Sequence, residues 1–447
     1  MNLATNLPDL DEGPARIRPA GFVRYQVLGM FSILAAITYL DRICMSQAAG
    51  PISAELGLDK RQMGWVFSAF TLGYLIFEVP TGWLGDRIGP RRVLTRVVLW
   101  WSAFTAVTGL VMGLKSLLLV RFCFGGGEAG AFPNIARALT RWFPTEQRGR
   151  AQGTIWTTAR IGAAVSLPLT QWMLSLVGWK MTFVIYGLVG LVWAGVFRVW
   201  YRDEPADHPD ISDEERNWIA SWQKEQGTAE ADPAGGASWR AILTNPSVLG
   251  LCGATACSAF AWYFFATWMP TYLKEARGMT PNSVANLSAL PFLAGVLGCA
   301  LGGWMSDSLV AMMGGTRYAR RAVGFIGATM AGVCFLLSLQ VKSPIPTVLL
   351  MALAGFFNDL PASSLWAAIM DLGERDAGRV AGVVNTASGI GAFLSPILFG
   401  ELIQLGWGWG IPLTITGIVF LAGGLCWLFV DPSRAISRPG DGFEGIA

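Results

Sequence analysis

Six ionisable side chains fall inside otherwise apolar stretches of the first half of this chain: Asp41, Arg42, Glu78, Arg121, Glu128 and Arg160. The second half offers mainly Asp359, with Glu401 near a helix end. An ionised group at the centre of a bilayer costs roughly 2.5–3.5 kcal/mol even on lenient scales, so few are expected there without a task. Arginine presents a planar fork that donates paired hydrogen bonds to a carboxylate. Buried carboxyl groups are the natural proton carriers, since their charge state follows their surroundings. Arg121 and Glu128 are seven residues apart, about 10 Å along one helix face. Asp41 and Arg42 are adjacent and diverge by about 100°, so a shared network across two helices is the economical arrangement. Buried ion pairs that merely set helix packing exist, but they stabilise weakly compared with apolar contacts. We therefore read Arg42, Arg121 and Glu128, with Asp41, as functional. Glu78, close to an arginine-rich helix end, reads as neutralising a neighbour, and Asp359 as facing a partner in its own half. Arg160 offers a second cationic anchor, which would favour a dicarboxylate over a monocarboxylate.

Other chemistry is excluded by what is missing. The single histidine, His208, lies in a polar segment, which leaves Asp41 and Glu128 as the carriers of any intramembrane proton coupling. The seven cysteines all fall in apolar runs without a CxxC pair, so neither a zinc site nor a disulfide framework is expected. No nucleophile–base pair, phosphate-binding loop or nucleic-acid motif is apparent. Neither an enzyme nor a cofactor is expected, and Gly125-Gly126-Gly127 reads as close helix packing.

These side chains need spanning helices to hold them. Hydrophobic residues make up 53% of the 447 and charged ones 14%, well below the share of a soluble domain. Runs long enough to cross the hydrocarbon lie near 22–47, 63–86, 93–113, 117–140, 149–177 and 180–200. Six more lie near 246–273, 284–308, 320–340, 346–370, 378–404 and 410–430. The expected fold is an all-α membrane protein of twelve transmembrane helices in two pseudo-symmetric six-helix bundles. The expected organisation is a tail over 1–20, a bundle over 21–200, a linker over 201–244, a bundle over 245–430 and a tail over 431–447. Residues 1–20 are polar and carry no cleavable signal pattern. In the linker, Ser212 and Glu215 read as a capping box ahead of an apolar stripe of Ile211, Trp218, Ile219 and Trp222. The C-terminal tail, with two prolines and three glycines, is expected to be disordered.

The loops after spans two and four carry Arg87, Arg91, Arg92, Arg96, Arg141, Arg148 and Arg150. Those after spans eight and ten carry Arg317, Arg320, Arg321, Arg375 and Arg379, whereas loops after odd-numbered spans are poorer in basic residues. The positive-inside bias then puts both termini and the linker in the cytoplasm. The halves also repeat one another. Gly82-Trp83-Leu84-Gly85-Asp86 answers Gly303-Trp304-Met305-Ser306-Asp307, and Gly149-Arg150-Ala151-Gln152-Gly153 answers Gly378-Arg379-Val380-Ala381-Gly382, at offsets of 221 and 229 residues. Duplicated six-helix halves place a substrate site between them at mid-membrane.

The run Gly82-Trp83-Leu84-Gly85-Asp86-Arg87-Ile88-Gly89-Pro90-Arg91-Arg92 resembles the loop signature of the major facilitator superfamily. Asp86, Arg87, Arg91 and Arg92 would form a breakable latch at the cytoplasmic gate. Within that superfamily, Tyr39-Leu40-Asp41-Arg42, Arg121 with Gly126-Gly127-Glu128, Tyr263 through Tyr272, and Asn385 resemble the anion:cation symporter family. The resemblance covers roughly residues 20–430. It implies carriage of an organic anion such as a sugar acid or aromatic acid, coupled to protons in bacterial members. It also implies that Tyr74, Tyr263, Trp366 and Asn385 line the substrate site with Arg42, Arg121 and Arg160. A monomer in a bacterial inner membrane, with no nucleic-acid partner, is the corresponding expectation. An exchanger or exporter of the same superfamily is the alternative.

Overall fold

The computed structural model describes residues 21–227, 237–313, 315–373, 376–434 and 436, without the side chains of Asp86, Thr145, Glu146, 225–227 and Asp307. The N-terminal half comprises α1 (Val23–Leu56), α2 (Lys60–Ile88), α3 (Pro90–Thr108), α4 (Leu114–Glu128), α5 (Ala131–Trp142) and α6 (Thr145–Trp200). After a linker come α7 (Asp213–Gly227) and α8 (Trp239–Thr244). The C-terminal half comprises α9 (Pro246–Tyr263), α10 (Met269–Glu275), α11 (Pro281–Ser288), α12 (Leu290–Met313), α13 (Thr316–Gln340), α14 (Pro344–Asp359), α15 (Ala362–Gly373), α16 (Ala377–Gln404) and α17 (Gly410–Trp427).

Among the described residues, nine helical segments are long and apolar enough to cross a membrane. One of these covers nearly all of α6, which turns sharply at Gly178 (φ 72°, ψ 171°) and so crosses twice. Only glycine adopts that backbone at little cost. The α3 crossing, diluted by Arg91, Arg92 and Arg96, and the α4–α5 crossing, interrupted at Ala129–Gly130, complete twelve. Span seven, read as one run over 246–273, is instead α9 and α10 joined by a π-helical turn, Phe264–Trp268. Pro270, just beyond it, has no N–H to continue a regular ladder.

The two halves meet along α2 against α16 and α6 against α11 and α12, with α1 beside α10 and the π-turn. At one end this seam is tight. Lys60 pairs with Glu275, Arg61 Nε lies 2.8 Å from Glu401 Oε2, and the Lys60 N–H donates to Gln404 Oε1 at 3.3 Å. A Cβ on Gly64 would come within 2.5 Å of the Pro396 carbonyl oxygen, and one on Gly400 within 2.5 Å of that of Lys60. Further along, Ser68 Oγ donates to the Phe393 carbonyl at 2.7 Å, and Leu75 still touches Gly389. Beyond that level the helices part: Gly149 and Gly153 of α6, and Gly378 and Gly382 of α16, have no neighbour within 4 Å of a built Cβ. The molecule is closed at the end where α1 finishes and α2 begins, and open at the end bearing the duplicated loop motifs.

The linker is more than a tether. Ile211, Ile219 and Trp222 are buried. The Ser212 hydroxyl accepts the Glu215 N–H at 3.2 Å, which is one half of the expected capping box. The other half is absent because Glu215 turns away. Its fully buried carboxylate accepts the N–H groups of Val23 and Arg24, each at 3.3 Å, and so caps α1. The Arg24 guanidinium stacks 4.4 Å over Trp218. His208 is buried against the rings of Trp142 and Trp200. The C-terminal tail also begins ordered: the Ile436 N–H donates to the Leu372 carbonyl at 3.0 Å, and Arg317 holds Asp431 at 3.2 Å. The expected disorder therefore does not extend to these first tail residues, and residues 437–447, like 1–20, lie outside the described part of the chain.

Candidate functional site: two arginine–carboxylate pairs at the end of a one-sided cleft

Arg42, midway along α1, pairs with Glu128 at the last turn of α4. The α4 helix is held close to α2 by glycines: a Cβ on Gly73 would meet the Phe122 carbonyl, and one on Gly125 that of Phe70. Glu128 is 0% exposed, and its Oε2 has no hydrogen-bond partner, nor has Arg42 Nη2. The Arg42 guanidinium lies over three rings, at 4.7 Å from Tyr74 and 5.2 Å from both Tyr39 and Phe70. Two turns before Glu128 on α4, Arg121 is 3% exposed and stacks on Phe124 at 4.6 Å and Phe70 at 5.4 Å. It has no acidic partner within ion-pair distance among the described residues, and its Nε has no hydrogen-bond partner. Asp41 is buried beside Trp101 and Thr105 of α3, and neither carboxyl oxygen has a hydrogen-bond partner. Arg121 acts electrostatically on both Asp41 and Glu128.

Arg160, in the first limb of α6, has a different arrangement. Its Nη2 lies 3.1 Å from both oxygens of Asp359 at the end of α14. Asp359 therefore faces the opposite half and not, as its sequence position suggested, a partner in its own. The Arg160 guanidinium also lies 5.1 Å over Trp262 of α9. Trp262 makes an edge contact with Tyr39 at 6.3 Å. The two arginine pairs are thus joined through an aromatic bridge that crosses the cleft.

The remaining candidates are distributed unevenly. Tyr263 is half-buried beside Thr71 and within electrostatic reach of Arg42. Trp366 and Asn385 are exposed on the C-terminal half, and neither makes a hydrogen bond or ring contact with the cluster. Glu78 is half-buried and acts electrostatically on Tyr74 without an ion pair. At the open end, Arg87 stacks 4.0 Å over Trp83. The Arg91 N–H donates to Asp203 at 2.8 Å, and its guanidinium donates to the Arg198 carbonyl at 2.6 Å. Arg92 lines the same small pocket. These contacts stay within the N-terminal half, and the Asp86 side chain lies outside the described atoms. Phe70 and Trp262 were not singled out from sequence, and Tyr39 entered only as part of the Tyr39-Leu40-Asp41-Arg42 run. Their signal is spacing: Tyr39 precedes Asp41-Arg42, and Trp262 precedes Tyr263.

A profile described as the Major Facilitator Superfamily matches residues 31–396 and again 308–445. The chain belongs to this superfamily. Its members are membrane transporters, not enzymes, and so are its relatives. The chain is 33% identical over 420 residues to a probable sulfoacetate transporter, SauU, of Cupriavidus necator, covering 93% of this chain and 96% of that one. It is 31% identical over 429 residues to a D-galactonate transporter of Escherichia coli (93% and 97% covered). It is 30% identical over 444 residues to a probable galactarate/D-glucarate transporter, GudP, of Bacillus subtilis (94% and 96%). A crystal structure of a bacterial homologue of the lysosomal transporter Spinster, inward-facing and unoccupied, shares the fold at TM-score 0.69 and 18% identity, over 91% of this chain and 94% of that one.

Proposed function

We propose that this protein imports an organic anion, a sugar acid or a related carboxylate, together with protons, by alternating access across a bacterial inner membrane. The observation that carries the reading is the pairing of Arg42 with Glu128 beside Arg121, which has no acidic partner among the described residues and an unpartnered Nε, at the end of a cleft open on one side. An anion entering this site finds two guanidinium groups, one of them held by a carboxylate that is replaceable by the anion itself. The relatives named as transporters of sulfoacetate, galactonate and galactarate/glucarate support the substrate class.

Coupling follows from charge balance. In the empty site Arg42 keeps Glu128 ionised and paired. An arriving carboxylate engages Arg42 and Arg121, Glu128 loses its partner, and Glu128 and Asp41 between them take one proton, so that two guanidinium groups face one substrate charge and one remaining carboxylate. The loaded site then carries little net charge into a low-dielectric seam, where an unbalanced charge would be costly. Reorientation breaks the Lys60–Glu275 and Arg61–Glu401 pairs, and the latch of Asp86, Arg87, Arg91 and Arg92 closes the other end. With the termini and linker in the cytoplasm, the described state opens inward. Tyr74, Tyr263, Trp366 and Asn385 then supply neutral contacts to the substrate as the halves close. The working unit is a monomer in the bilayer, and the organic anion and protons are its partners.

The test is reconstitution in liposomes with internal pH recorded while sugar acids and aromatic acids are added outside. Acidification that tracks one class of acid, and is lost in Glu128→Gln, supports symport. Labelled-anion exchange with no acidification points to an exchanger, and silence in both assays to an exporter.

A further inference from the structure

We infer that Asp359 is an internal anion that occupies Arg160 and restricts the site to substrates with a single anionic group and a neutral, hydroxyl-bearing remainder. The inference rests on the organic-anion reading above and specifies its substrate.

Three observations carry it. First, Arg160 is already engaged by a carboxylate: its Nη2 lies 3.1 Å from both Asp359 oxygens, and its face is stacked 5.1 Å from Trp262. Second, Asp359 is built to stay. It is 6% exposed, the Asn358 amide donates to its Oδ1 at 2.9 Å, and the Ser258 hydroxyl in turn donates to Asn358 Oδ1 at 2.7 Å. Gly295 makes room for the carboxylate, since a Cβ there would fall 2.3 Å from Asp359 Oδ2. Third, the Arg42 end of the cleft differs. Glu128 and Arg42 each keep an unpartnered polar atom, and Arg121 has no acidic partner. The Arg42 end therefore has a second guanidinium, Arg121, with no acidic partner to receive an anion, whereas the single guanidinium at the other end already holds Asp359.

Displacing Asp359 from Arg160 with a substrate group would leave a carboxylate out of water with only neutral donors, the costly outcome for a buried pair. A second anionic group on the substrate would also meet Asp359's own charge across a short gap of low dielectric. A hydroxyl meets neither penalty, because it can donate to Asp359 and accept from Arg160. The substrates named for the relatives include acids with one anionic group and acids with two. The Arg160–Asp359 pair is what selects between them in this chain.

The experiment compares purified, monodisperse wild type with Asp359→Asn and the double variant Arg160→Gln/Asp359→Asn. Tryptophan fluorescence at pH 7.5 measures the affinity of a six-carbon aldonate and of the aldarate of the same configuration. Wild type is expected to favour the aldonate at least tenfold. Asp359→Asn frees a guanidinium and should move the ratio at least tenfold toward the aldarate, and removing both charges should return it toward the wild-type value. Wild type that favours the aldarate, or a ratio unchanged in Asp359→Asn while aldonate still binds, overturns the assignment and leaves the organic-anion reading standing. Binding of neither acid, nor of any acid in the liposome panel, overturns both.

Discussion

At the scale of single residues, the site is a contrast between charges that are matched and charges that are not. Glu128→Gln keeps the shape of the carboxyl and removes its proton chemistry. Exchange of labelled anion across the liposome membrane should persist in this variant, while proton-driven accumulation falls by tenfold or more. Accumulation at the wild-type level would remove Glu128 from the coupling step. Arg121→Lys keeps the charge and loses the planar fork. Substrate affinity should weaken about tenfold, equivalent to about 1.4 kcal/mol, as measured by fluorescence titration, and an unchanged affinity would mean that Arg121 does not grip the anion. These residues were legible in the sequence for a plain reason: an ionised group inside an apolar run has few purposes. The Arg160–Asp359 pair was not, because its members stand 199 residues apart in different halves and no local pattern marks them as partners. Trp262, and the part that Tyr39 plays beside it in joining the two pairs, were hidden for a related reason. An aromatic ring in a membrane helix looks the same in sequence whether it packs on lipid or on a guanidinium.

At the scale of elements, apolar runs fixed where the helices lie, and small deviations escaped. The break between α4 and α5 at Ala129–Gly130 and the π-turn at Phe264–Trp268 leave the hydropathy of their spans intact, so hydropathy could not report them. The linker gave a helix start from Ser212 and Glu215, yet the reach of Glu215 to α1 is a tertiary event. Glu215→Ala removes the acceptor for two backbone N–H groups and leaves Arg24 without its counter-ion, at 3.9 Å in the native fold. A loss of about 1–3 kcal/mol follows from unsatisfied buried donors. Thermal unfolding in detergent should show it as a lowered midpoint, and an unchanged midpoint would mean that water replaces the carboxylate. His208 adds a pH signature. Burial against Trp142 and Trp200 lowers its pKa below the ordinary histidine value of 6.5. The folded linker therefore binds its proton less readily than the unfolded chain does. Its contribution to stability is complete above about pH 6.5 and is lost as pH falls through the interval between the two values. His208→Gln should flatten that part of the pH–stability curve without altering the plateau slope above it.

At the scale of the whole molecule, the two halves form a lever with one closed end. The repeat of Gly82–Asp86 in Gly303–Asp307 was enough to announce two related bundles, but which end is shut depends on the packing between them, and that is not written in either half. The seam is tight from Lys60 and Gln404 up to Leu75 and Gly389, about 22 Å along α2. Its ion pairs are half-exposed, so each contributes little by itself. The shared glycine contacts, Gly64 on Pro396 and Gly400 on Lys60, supply the close approach. Closure of this kind should be easy to break from either side, as a carrier that alternates requires. Cysteines introduced by Arg61→Cys and Glu401→Cys, in a background without the seven native cysteines, should be joined by oxidation or by a short bis-thiol linker. The joined protein should bind substrate from the open side with near-normal affinity and transport none, and reduction of the disulfide should restore transport. If the locked protein still transports, the α2–α16 seam does not open in the cycle, and access must alternate by some other movement. If it neither binds nor recovers on reduction, the seam is part of the folded core and the closed end is permanent.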